Sequence, residues 1–93
     1  MTTEEMVVAG EKAIKVVGML SSTSIRILQL LSQNPLAVTA IAEKLDLSEP
    51  YVSAQVSLLE KLKLIRASYE SGRKGIRKIC ELTVKKIVIL LKP

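Results

Sequence analysis

The chain has 93 residues, 14 basic and 9 acidic side chains, a net charge of +5, and no histidine, phenylalanine or tryptophan. This length makes one domain, here 1–93, with a modest core that Leu, Ile, Val and Ala must supply. Cys80 is the single cysteine, which excludes an intrachain disulfide and the usual cysteine–histidine zinc sites.

Thr2 and Glu5 fit a capping box, and Met6, Ala9, Ala13, Val16 or Val17, and Leu20 then recur at helical spacing. They predict an N-terminal helix with one apolar stripe. Gly10 and Gly18 weaken it by roughly 1 kcal/mol each relative to alanine, so it needs a surface to lean on. Glu4 and Glu5 precede the apolar positions and no basic segment leads them, unlike a signal peptide. The longest apolar runs fall far short of the ~20 residues that span a bilayer. A cytoplasmic protein with no membrane partner is expected.

Ser21 to Ser24 interrupt the stripe and offer N-cap oxygens to a second helix, whose apolar face is Ile25, Ile27, Leu28, Leu30 and Leu31. Asn34-Pro35 ends it. Thr39 is placed to cap a short third helix with Ile41 and Leu45 on one face and Ala42 at a close crossing. Asp46 takes the left-handed turn position where many such motifs have glycine. Ser48 caps the next helix, with Glu49 and Pro50 in its first turn and Val52, Val56, Leu59 and Leu62 inward.

From Ile65 the period becomes two, and Ile65, Ala67 and Tyr69 share a face with Ile76, Cys80 and Leu82 of a returning strand. Between the strands stands SGRKG at 71–75, a basic tip bounded by glycines. Thr83 is placed to cap a closing helix with Val84, Ile87, Val88 and Leu91 on its apolar side. The fold class expected is therefore mainly α with a β-hairpin wing, a winged helix-turn-helix carrying extra N-terminal and C-terminal helices for dimerisation.

Residues 66–93 hold eight basic and two acidic side chains, so the positive field belongs to the wing and C-terminal segment. A helix sized for the major groove beside a basic hairpin makes double-stranded DNA the expected partner. On that reading Ser48, Tyr51, Ser53, Ala54 and Ser57 meet the duplex with Glu49, which can accept from a cytosine. Gln55 can pair with an adenine edge. No lysine or arginine occurs between Glu49 and Glu60, so affinity must come from the wing, through Arg73, Lys74, Arg77 and Lys78. An arginine at a hairpin tip can enter a narrow minor groove. Cys80 reads as a small buried hydrophobe. No base and nucleophile pair and no phosphate loop are present, so no enzymatic activity, metal or cofactor is expected.

From about Thr23 to Leu82, the run TSIRILQLLSQNPLAVTAIAEKLDLSEPYVSAQVSLLEKLKLI, the SGRKG tip and CELT resemble the archaeal and bacterial ArsR-like winged-helix transcriptional regulators. The resemblance implies a homodimer joined through its first and last helices, with two copies of the helix at 48–62 in successive major grooves of a palindromic site. The apolar stripes assign that seam to Met6, Ala9, Ala13, Val17, Leu20, Ile87, Val88 and Leu91. Metal-sensing members carry a Cys-x-Cys pair near the recognition helix, or histidines and carboxylates in the last helix; this chain has neither. Where the family often has Arg or His near 54 and 55 and Lys near 57, it has Ala54, Gln55 and Ser57. The sequence names no small-molecule effector. Two other functions fit the same residues: an architectural protein coating DNA with weak sequence preference, and a protein–protein interaction module docking through Tyr51, Ala54 and Leu58.

Overall fold

In the computed structural model, which describes residues 3–92, the chain runs β1 (Thr3–Ala9), α1 (Gly10–Met19), α2 (Ser22–Leu31), β2 (Leu36–Ala37), α3 (Val38–Leu45) and α4 (Glu49–Lys61). It continues through β3 (Ile65–Gly72), β4 (Gly75–Leu82) and β5 (Val84–Leu90).

Local capping chemistry sets the central helices. Ser21 caps α2, and its side chain and that of Ser24 each accept the other's backbone N–H in a capping box. Asp46 takes the left-handed conformation, φ 55°, and closes α3, after which the Leu47 N–H donates to the Ala42 carbonyl at 2.9 Å. Ser48 then accepts from the Tyr51 N–H at 3.3 Å and opens α4, with Pro50 in the first turn. Thr39 does not cap α3. That helix begins two residues earlier, at Val38 after Ala37, with no side-chain cap.

The inward faces meet in one core. Ile27 of α2, Ile41 of α3 and Val52, Val56 and Leu59 of α4 are all fully buried, and Leu64 and Cys80 close it from the hairpin side. Burial of a Val, Leu or Ile contributes roughly 1.5–3 kcal/mol, so these few aliphatic side chains offset the missing aromatics. Ala42, 4% exposed, lies buried in α3 beside Ile41.

A three-stranded antiparallel sheet has the order β2-β4-β3. In its hairpin Ile65 faces Leu82, Ala67 faces Cys80, and Gly72 faces Gly75 across the two-residue tip Arg73-Lys74. This register places Lys78 with Ile76, Cys80 and Leu82 on one face, an assignment the sequence pattern leaves open. The hairpin outruns the core, so Tyr69 and Ile76, expected inward from alternation, are 67% and 77% exposed.

The two ends of the chain differ from the sequence expectation. Residues 3–9 and 84–90 are strands, paired in parallel with Glu5 opposite Lys86 and Val8 opposite Ile89. The N-terminal helix starts only at Gly10, whose φ of +59° turns the chain out of β1 and breaks the helical stripe between Ala9 and Ala13. The proposed capping box involves Thr2, which lies outside the described residues. There is no closing helix. Val84, Ile87, Val88 and Ile89 are β-branched and suit a pleated surface, and pairing with β1 decides between the two periods. Thr83 caps no helix either; its hydroxyl donates to the Lys63 carbonyl at 2.7 Å and its N–H to the Leu64 carbonyl at 3.0 Å. It thereby fastens the end of β4 to the turn that follows α4.

Candidate nucleic-acid interface

The wing and the recognition helix are joined at two levels. Deep in the angle, Lys78 of β4 reaches across to Glu60 of α4 at 2.5 Å, with the lysine side chain only 20% exposed. The hydrogen bond it donates to the Glu60 carboxylate raises the Lys78 ammonium above its ordinary value against the opposing effect of desolvation. Further out, the hairpin and the first half of α4 diverge and enclose a cleft of about 1100 Å³. Glu49, Pro50 and Ser53 form one wall, the wing from Gly72 to Lys78 forms the other, and Ala37, Val38 and Thr39 make the floor.

Six of the residues singled out in the sequence therefore come together: Glu49, Ser53, Arg73, Lys74, Arg77 and Lys78 all line this cleft. Their charges are not equivalent. Arg77 pairs with Glu70, its cross-strand neighbour, and Lys78 with Glu60, whereas Arg73 and Lys74 at the tip carry no ion pair among the described residues. Gly72 leaves room for the Arg77 stem, since a side-chain carbon there would approach Arg77 Cδ to 3.2 Å. The field available to an incoming anion is thus concentrated at the tip.

Ser48, Tyr51, Ala54, Gln55 and Ser57 lie elsewhere on α4. Ala54 and Ser57 are exposed between its flanks, and Tyr51 is 43% exposed. Gln55 is half-buried, and its Oε1 accepts from the Ser24 hydroxyl of α2 at 3.0 Å. The carbonyl needed for a two-bond contact with adenine is therefore held against α2. Thr39, Pro50 and Ile76 were not among the sequence candidates, yet they line the cleft. Ile76 carried a signal, an apolar residue immediately after a charged glycine turn, but alternation assigned it inward.

Of the seam residues, Ala13 is 7% exposed, and Met6, Leu20 and Ile87 pack against the chain's own core. Val17 and Leu91 face out at 51% and 93%, joined by Val7 at 50%, Ile14 at 66% and Leu90 at 45%, which the stripes did not include. Among the described residues no group of His, Cys, Asp and Glu is arranged to hold a metal ion, and no single helix is long and apolar enough to cross a membrane.

A helix-turn-helix whose second helix faces a basic hairpin across an open cleft defines a winged helix-turn-helix protein. The family model described as "Bacterial regulatory protein, arsR family" matches residues 21–67, just over half of the sequence, and the chain belongs to that family. It is a family of DNA-binding regulators rather than enzymes.

Solved structures show the same fold. A "possible transcriptional regulator" from Methanosarcina mazei superposes with a TM-score of 0.66 at 18% identity, over 81% of this chain and 66% of its own. Reduced HlyU from Vibrio cholerae gives 0.66 at 20% identity, over 80% and 75%. A homodimeric winged helix-turn-helix DNA-binding domain from Mycobacterium bovis, of a possible ArsR-family regulator, gives 0.63 at 25% identity, over 77% and 61%. The chain thus spans about two thirds of the length of the first of these structures. No curated protein sequence matches it significantly.

Proposed function

We propose that the protein is a homodimeric transcriptional regulator that sets α4 in the major groove of duplex DNA and its wing on the adjacent backbone or minor groove. The observation that carries this reading is the cleft between α4 and the hairpin, lined by Arg73 and Lys74, which carry no ion pair among the described residues. Phosphate contacts supply most of the affinity of such proteins, and base edges supply the discrimination. Here the wing performs the first task. Ser53, Ala54 and Ser57 are short enough to let α4 approach the groove floor closely, where a methyl can meet thymine and a hydroxyl either base type.

Dimerisation is supported by two features. The Mycobacterium bovis relative is described as homodimeric. In this chain Ile14 and Val17 of α1 lie exposed three residues apart, and Val7 and Leu90 are exposed on one face of the β1–β5 pair. Closed two-fold association would cover such a self-complementary surface and present two copies of α4.

Binding measured over a series of salt concentrations tests the reading. Affinity should fall steeply as salt rises, and Arg73→Ala should weaken all duplexes similarly and flatten the salt slope by about 0.9. Binding indifferent to both salt and Arg73 would refute it. The low relief of α4 also favours a second reading, a DNA-coating protein with weak preference. Selection from a random duplex library separates the two. An inverted repeat with half-sites about 34 Å apart supports the regulator, and a featureless pool supports the coat.

A further inference from the structure

We propose that Gln55 is a donor-only contact to the DNA backbone on the flank of α4 opposite the wing, and that Ser24 is the residue that positions it. This rests on the reading of duplex DNA as the partner.

Ser24 is the one buried polar side chain among the described residues, at 1% exposure. A hydroxyl in that position costs stability unless its bonding is complete. Its oxygen accepts the Ser21 N–H at 3.1 Å, lies 2.9 Å from the Ser21 hydroxyl, and donates to Gln55 Oε1 at 3.0 Å. A serine hydroxyl has one proton. Because that proton goes to Gln55, the Ser21 hydroxyl must be the donor of the pair, and every proton in the circuit is assigned. With Oε1 turned towards α2 as the accepting atom, the –NH₂ group on the other side of the amide carbon turns away from it.

Gln55 therefore turns its –NH₂ hydrogens outward while its oxygen is engaged by Ser24. Bidentate recognition of adenine requires a donor and an acceptor side by side, and this geometry withholds the acceptor. What remains for the amide is an acceptor on the nucleic acid.

Position on the helix identifies which one. At 100° per residue, the buried line of Val52, Val56 and Leu59 leaves Ala54 and Lys61 outermost, with Ser57 next to them on the wing side. Ser53 and Glu60 fall on the wing side, where Ser53 lines the cleft and Glu60 holds Lys78. Gln55 falls on the other side, against α2. A helix lying in a major groove has a phosphate strand along each flank. The wing meets one of them, and Gln55 is placed for the other, away from the base edges below Ala54 and Ser57.

Four variants test this on the intact chain: Gln55→Ala, Gln55→Glu, Ser24→Ala and Arg73→Ala. Gln55→Ala should lower affinity roughly tenfold for every duplex alike, the loss of one neutral donor to a charged acceptor, with the salt slope unchanged. Arg73→Ala should change the slope. Gln55→Glu keeps an acceptor for Ser24 but turns a carboxylate oxygen towards phosphate, so it should bind more weakly than the alanine variant. Ser24→Ala should shift and broaden the Gln55 side-chain amide signals in NMR spectra of the free protein and weaken binding to all duplexes. A change of base preference at one operator position in Gln55→Ala would overturn the proposal, as would Gln55→Glu binding as tightly as wild type. Unmoved Gln55 amide signals in Ser24→Ala would overturn the positioning role. Wild type that binds no duplex at low salt would instead overturn the proposed function itself, while the amide signals still report on Ser24.

Discussion

Cys80 is fully buried in β4, opposite Ala67 on one side and Leu36 on the other, and burial pushes its thiol up to about 11. The thiolate is the reactive form, so in the folded protein this group should resist a disulfide reagent at pH 7.5 and react promptly in denaturant. Comparable rates in the two conditions would contradict the burial. Its role as a small core hydrophobe was legible from a strand period alone. Asp46 was legible too, because a short polar side chain tolerates positive φ. Lys63 was not: it holds φ 62° at the turn after α4, yet nothing in the sequence KLKLI marks it. A left-handed backbone costs a residue with a side chain about 1–2 kcal/mol, partly recovered by glycine. Lys63→Gly should therefore raise the denaturant midpoint, by roughly 0.5–1 kcal/mol in stability. A lower midpoint would show that the lysine side chain contributes more than its backbone costs.

At the scale of elements, the helix-turn-helix and wing were readable because their signals are local: Ser48 before Pro50, Asp46 in the turn, and glycines on either side of Arg73-Lys74. Position 55 was not, because Gln55 meets Ser24 from another helix, a contact no spacing within α4 records. The link between α4 and the wing is of the same kind. Lys78 is held by Glu60, so one cation of the interface is neutralised within the fold. Glu60→Gln should release it, raising duplex affinity and steepening the salt slope by up to about 0.9. An unchanged slope would place Lys78 away from phosphate. The pH dependence follows from the raised lysine value. Its stabilising effect is complete below the ordinary 10.5 and disappears only as pH rises through the higher folded value. Neutral variation should leave the pair intact, and alkaline unfolding should start earlier in Glu60→Gln than in wild type.

Over the whole molecule, the decisive feature is the pairing of its two ends. Val84, Ile87, Val88 and Leu91 satisfy a helical spacing, and the same run satisfies a strand; only a partner at the opposite end of the chain chooses between them. Parallel strands need a long crossover, and here the helical core and wing together form it. A two-stranded sheet is marginal by itself, and its outward apolar residues Val7 and Leu90, with Ile14 and Val17 on α1, are what a second copy would cover. This decides which substitution tests the dimer. Ala13 is buried in its own subunit, so Ala13→Glu would strand a carboxylate in the core and unfold the protein whether or not it dimerises. Ile14 and Val17 are free of that ambiguity. The double variant Ile14→Glu with Val17→Glu should sediment as a monomer while each subunit stays folded by circular dichroism. Without a tethered second copy of α4, its affinity for a full inverted repeat should drop to that for a half-site, a loss on the order of a hundredfold or more. A double variant that still sediments as a dimer would move the interface elsewhere. A monomeric wild type would leave α1 and the terminal sheet with another partner to find.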